Sequence, residues 1–82
     1  MANLYSGTIG CNGNYVDLST ETGVEFENGH DYQVQFFNKG YIREGEEGTG
    51  FRVYEGLPVT IKYQGTPIYV SSAAKLEVNI AN

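Results

Sequence analysis

Pro58-Val59-Thr60-Ile61-Lys62-Tyr63, Gln64-Gly65, Thr66-Pro67-Ile68-Tyr69-Val70 and, after a break of small residues, Lys75-Leu76-Glu77-Val78-Asn79-Ile80 form the stretch that decides the fold. Apolar residues recur at every second position, the spacing of one face of a pleated strand. Gly and Pro stand between the runs, where a chain must turn. Nowhere does an i, i+3, i+4, i+7 apolar stripe of useful length occur, so helix has almost no support. Ser71 to Ala74 has room for a single helical turn and nothing more.

The same pattern extends towards the N-terminus. Asp31 to Asn38 is the longest alternating run, with Tyr32, Val34 and Phe36 on one side and Gln33, Gln35 and Phe37 on the other. Phe37 falls on the polar side, which requires that face to be partly covered or the strand to bend. Asn3 to Ile9, Tyr15 to Leu18, Val24 to Glu27, Tyr41-Ile42 and Phe51 to Tyr54 read as further strands. Asn12-Gly13 and Asn28-Gly29 carry the strongest short hairpin signal, because both residues tolerate positive φ. Thr20 to Gly23 reads as a connector, Glu55-Gly56 as a turn, and Glu44 to Gly50 as an exposed loop. About eight short strands at intervals of roughly 8–12 residues predict an all-β fold, an antiparallel sandwich or jelly roll in a single domain over residues 1–82. Its core should hold Val34, Phe36, Val53, Ile61, Ile68, Val70, Leu76, Val78 and Ile80. Pro58 and Pro67 lack a donor N–H and belong at a strand start or an edge.

Size and composition narrow the class. A domain of 82 residues is marginal alone, and chains this short are often supported by disulfides, a metal or oligomerisation. Cys11 is the only cysteine and His30 the only histidine, so neither an internal disulfide nor a Cys/His zinc site is available. Association with other chains is the support that remains. The net charge is −5, and the basic residues Lys39, Arg43, Arg52, Lys62 and Lys75 are scattered. Nucleic acid requires a basic track, and there is none. No apolar run approaches the ~20 residues of a membrane span, and the N-terminus lacks the pattern of a signal peptide. A free thiol in such a chain fits synthesis in a reducing cytoplasm. The last strand pattern runs to the C-terminus with no tail.

Reactive constellations are weak. Cys11 and His30 could form a nucleophile–base pair only with an orienting group and an oxyanion site, for which there is no local signature. Glu44-Gly45-Glu46-Glu47 carries carboxylates but lacks the alternate-position spacing of a calcium loop. No separated carboxylate pair stands in a recognisable cleft pattern. The expectation is a non-enzymatic chain without cofactor or metal. Tyrosine is the more informative set, with seven of 82 residues and no tryptophan. Tyr54 and Tyr69 fall opposite the core residues Val53, Ile68 and Val70, so they should face outward. Outward tyrosines serve as good strand formers, as interface anchors, or as stacking platforms for sugar rings.

With the strands in order, the segment from about residue 24 to residue 80 resembles a family of small phage virion proteins. The resemblance is carried by Tyr32-Gln33-Val34-Gln35, Asn38-Lys39-Gly40, the acidic-glycine loop from Glu44 to Gly50, and Gly50-Phe51-Arg52-Val53. It continues through Gly56-Leu57-Pro58, Ile61-Lys62-Tyr63, Ile68-Tyr69-Val70 and Lys75-Leu76-Glu77-Val78. It implies a structural component of a bacteriophage virion, a capsid decoration or cement protein or another head or tail accessory, made in the host bacterial cytoplasm. Its partners would be capsid or other virion proteins, and it would assemble as a trimer or another symmetric oligomer. The expected contact surface contains Tyr54 and Tyr69, with Arg52 and Lys62 supplying charged contacts. Two alternatives stand beside it: a host-directed carbohydrate-binding module with a planar row of outward tyrosines, and a small acidic inhibitor of a host enzyme or defence system. The inhibitor requires the acidic clusters Glu21–Asp31 and Glu44–Glu47 to share one face.

Overall fold

In the computed structural model, which describes residues 2–45 and 50–82, the alternation from Lys75 to Ile80 becomes β8 (Lys75–Ala81). This strand pairs antiparallel with β1 (Asn3–Gly10) on one side and β3 (Asp31–Phe36) on the other, and β6 (Val59–Lys62) extends β3. The resulting sheet has the order β1-β8-β3-β6. A second sheet contains β2 (Val16–Asp17), β7 (Ile68–Ser71), β4 (Gly40–Glu44) and β5 (Phe51–Val53) in the order β2-β7-β4-β5, also antiparallel. The one helix among the described residues, α1 (Leu18–Thr22), is five residues long. Only β4 and β5 are both consecutive and paired. Every other connection crosses between the sheets, which makes the fold an eight-stranded jelly roll.

Register explains the core. Val34 lies opposite Ile80 and Phe36 opposite Val78, while Ile61 lies opposite Tyr32 and Ile42 opposite Val70. A slip of one residue would turn each of these side chains to water, so burial holds the pairing. All nine expected core residues are buried, none more than 9% exposed. Ile9, Cys11, Leu18, Val24, Tyr32 and Ile42 complete the core. Pro67 immediately precedes β7, and Pro58 precedes β6, an edge strand, where no ladder N–H is required.

Several local expectations are corrected. Asn12 (φ 52°) and Gly13 (φ 81°) do form a tight turn, with the Asn14 amide donating to the Cys11 carbonyl at 3.0 Å. They do not close a hairpin. The Cys11 and Asn12 amides donate to the Ala74 carbonyl, and the Gly13 amide to that of Ser72. Turn chemistry sets the bend, whereas the sheet that the next strand joins is set by distant partners. Asn28-Gly29 behaves alike, and its Gly29 amide donates to the Tyr63 carbonyl. Ser71 to Ala74 contains no helical turn. Ser71 ends β7, and the Ser72 hydroxyl donates to the Lys75 carbonyl.

Val24 to Glu27 is extended but belongs to no sheet. Its alternation still reports burial, with Val24 buried and Glu25 and Glu27 exposed. Side chains replace the ladder: the Ser19 hydroxyl donates to the Val24 carbonyl at 2.6 Å, and the Glu27 amide donates to Tyr32 Oη at 2.7 Å. Phe26 packs edge-on against Tyr32 and stacks on Tyr63. The expected Tyr15–Leu18 strand is reduced to Val16–Asp17, because Asp17 caps α1 by accepting from the Ser19 and Thr20 amides. The expected connector Thr20–Gly23 is the rest of that helix and its left-handed glycine cap.

Helix α1 also closes one open side of the sandwich. It packs on β1, β2 and β7 and delivers the fully buried Leu18. Cys11 lies in the same core, and burial pushes its thiol above the ordinary range. The Ser72 backbone opposes that shift and the Glu21 charge adds to it. An unfolded chain releases this proton above about pH 8.5, while the folded chain retains it. Folding stability should therefore be indifferent to this group below that pH and fall as pH rises through it. Urea unfolding between pH 7 and 9.5 should show a shallower alkaline loss in Cys11→Ala than in the parent. Parallel slopes would remove Cys11 from the account.

Candidate functional site

The two outer faces differ in chemistry. On the β1-β8-β3-β6 sheet the outward positions combine hydroxyls and amides, Ser6, Thr8, Gln33, Gln35 and Asn79, with charges of both signs, Asp31, Lys62, Lys75 and Glu77. On the β2-β7-β4-β5 sheet they are aromatic and cationic. Inward Ile42 fixes the parity of β4, so Tyr41 and Arg43 must point out. Register then sets two rows across this face: Asp17, Tyr69 and Arg43 in one, Ser71, Tyr41 and Arg52 in the other.

Loop residues extend the rows. The Arg43 guanidinium lies 4.0 Å from the ring centre of Tyr15 and 5.6 Å from that of Tyr69. Arg52 lies 5.3 Å from the ring centre of Tyr54. Each such stack contributes about 0.5–1 kcal/mol at an exposed site, and its larger effect is to fix where the cation sits. Tyr41 and Tyr54 remain 40% and 62% exposed. Asp17, the one carboxylate in the two rows, accepts from the first amides of α1, so the rows hold two arginines against one acid in a chain that is acidic overall.

Three of the four expected contact residues, Tyr54, Tyr69 and Arg52, share this face. Lys62 does not. It lies opposite Asp31 on the outer face of the other sheet. Tyr15, Tyr41 and Arg43 belong to the surface without having been singled out from the sequence. For Tyr41 and Arg43 the signal was present, since a buried Ile42 between them forces both outward. For Tyr15, which precedes β2, only the three-dimensional contact with Arg43 places it.

The other candidates fall elsewhere. Cys11 is buried beyond the end of β8 at Lys75, and His30 is exposed near the opposite end of the same sheet. The seven residues of β8 separate them by roughly 20 Å, so they form no pair. His30 Nε2 instead lies 3.4 Å from a Glu27 carboxylate oxygen. Glu46 and Glu47 lie outside the described residues, and with them the calcium-loop pattern and the shared-face requirement of the acidic inhibitor. Among the described residues no group of three or more His, Cys, Asp or Glu is gathered in a metal-binding arrangement.

Comparison with known protein families, with curated proteins and with solved structures found no match.

Proposed function

We propose that this chain is a non-enzymatic structural component of a bacteriophage particle, a capsid decoration or cement protein or a related head or tail accessory. It would act through protein–protein contacts made by the outer face of the β2-β7-β4-β5 sheet. The observation that carries this reading is the concentration of Tyr41, Tyr54, Tyr69, Arg43 and Arg52 on that one face. Tyr and Arg are the side chains most enriched at the energetic centres of protein interfaces, because each combines a large rigid contact area with a polar end. The fold adds an analogy, since jelly rolls build many viral capsid domains. A small module gains from a repeated lattice, where symmetry multiplies weak individual contacts.

Particles encoded by the same genome test it directly. Mass spectrometry of purified particles should find the chain in fixed stoichiometry to the capsid protein. Particles lacking it should bind the purified chain saturably, and Tyr41→Ala with Tyr54→Ala should weaken that binding by about tenfold or more. Absence from the particle, together with a monomeric mass at all concentrations, would refute the reading. Because lectins also use this fold and outward tyrosines stack on sugars, saturable binding on a glycan array would support the carbohydrate-binding alternative.

A further inference from the structure

We infer that the open side of the sandwich between β5 and β6 is a strand acceptor that takes an extended segment of another protein, with aliphatic and acidic residues in alternation. Unlike the side closed by α1, this one has no helix across it among the described residues. β5 and β6 are the outermost strands of their respective sheets. Among the described residues each presents a row of backbone N–H and C=O groups without a ladder partner, which is the template for adding a strand.

Between them lies a cleft of about 350 Å³, within the size range of pockets that hold ligand or peptide anchors. Its floor is apolar, formed by Ile42, Val53 and Ile61 with half-buried Val59. Phe51 lies opposite Ile42 and therefore points toward the sandwich interior, yet it is 79% exposed. An inward aromatic ring left in water marks where an added apolar side chain would be covered. Arg52 and Lys62 flank the cleft, and neither has a carboxylate of a described residue within 4 Å. Among the described residues, Glu44 is the one acidic residue lining it.

The charges specify the segment. A strand added to β6 sends alternate side chains into the cleft and the others to the outer face beside Lys62. One added to β5 places its outward set beside Arg52. Carboxylates at those outward positions form favourable cross-strand pairs, and lysines there are repelled. The chain's own stretch of this pattern, Val24-Glu25-Phe26-Glu27, is engaged in the fold through Val24, Phe26 and the Glu27 amide, so the occupant is a different protein.

The probe is an acetylated eight-residue peptide of alternating Val and Glu, titrated by fluorescence anisotropy and by amide chemical shifts. Saturable binding is expected, with the largest shifts on β5 and β6. Peptides of alternating Val and Lys or Ser and Glu should bind about tenfold more weakly or worse, as should the parent peptide to Lys62→Glu with Arg52→Glu. Circular dichroism of that double variant, whose substitutions are at exposed positions, should match the parent. No saturable binding, equal binding of the lysine peptide, or shifts confined to the tyrosine face would overturn the inference. So would shifts on β5 and β6 that appear on concentration alone, which would mark a second copy as the occupant. Lys62→Glu alone, on the sheet away from the tyrosine face, should weaken peptide binding and leave particle binding unchanged, so this site and the proposed particle contact fail independently.

Discussion

Phe36→Ala should cost about 3–5 kcal/mol, the range for removing a large aromatic side chain from a packed core. Phe36 is fully buried, and its partner in the ladder is Val78, on the strand from which the first sheet is built. The surroundings have little freedom to collapse into the space. A methyl group at Gly40 would stand 2.9 Å from both the Phe36 ring and a Leu76 methyl, so the ring rests against bare backbone at the start of β4. Phe36 therefore packs across the sandwich, from β3 onto the backbone of β4, beside the Leu76 side chain. Small domains hold stabilities near the low end of 5–15 kcal/mol, so this substitution should leave the chain largely unfolded at moderate urea. Urea unfolding followed by circular dichroism measures it, with Phe51→Ala as the comparison. Phe51 is mostly exposed, and its loss should change stability by less than about 0.5 kcal/mol. A Phe36→Ala cost below about 1.5 kcal/mol would mean that the sheets are held together elsewhere.

How far such an argument was available from sequence varies with the range of the interactions involved. Period-2 alternation is a local property, and it was sufficient for the layered architecture and for every core residue expected from it, from Val34 to Ile80. The proline positions followed for the same reason, since a missing N–H is a property of one residue. Pairing partners are different. Asn12, Gly13 and Gly29 have the positive φ that a turn uses, yet neither turn closes a hairpin, because β2 joins the sheet opposite β1 and the segment ahead of β3 joins no sheet. In a jelly roll nearly all pairing is between segments distant in sequence, and nothing within ten residues of a turn encodes it. Helix α1 was missed for a smaller reason. At five residues it is too short for an apolar stripe, and its marks are Asp17 at the start and Gly23 at the end.

The site shows the same division. Alternation placed Tyr54 and Tyr69 outward, and register then placed Arg52 beside them. It could not separate Lys62 from that group, because an outward residue on β6 and an outward residue on β5 look alike in sequence while their strands belong to opposite layers. The arginine–tyrosine stacks were equally out of reach. Arg43 meets Tyr15 across 28 positions, and only the β2-β7-β4 order brings them together. What the fold adds to the tyrosine count is asymmetry, since one sheet faces outward with rings and guanidinium groups and the other with hydroxyls, amides and charges of both signs. A repeated lattice contact needs one such face per subunit, and its mirror on the other sheet would favour uncontrolled association.

Gly50→Ala should cost about 2–5 kcal/mol, the second large effect, and it ties this face to the stability of the fold. Two terms contribute. Gly50 has φ 72°, a left-handed conformation that costs an L-residue roughly 1–2 kcal/mol. Space is the other term. A methyl group here would lie 2.6 Å from Tyr15 Oη, 2.8 Å from the Ile42 carbonyl oxygen and 3.1 Å from Arg43 Cβ. The carbonyl belongs to the backbone of β4 and cannot move without disturbing its pairing, so the strain must fall on Tyr15 or on the β4–β5 register, adding about 1–3 kcal/mol. Gly13→Ala isolates the first term, since Gly13 has φ 81° and open space around its Cα. The difference between the two variants in urea unfolding should therefore equal the steric term. Displacing Tyr15 also removes the ring on which Arg43 lies, so Gly50→Ala should weaken particle binding beyond any effect of Gly13→Ala under conditions where both remain folded. Equal stability costs for the two glycines would show that Tyr15 yields freely, and the Arg43 stack would then be a loose contact with no part in shaping the face.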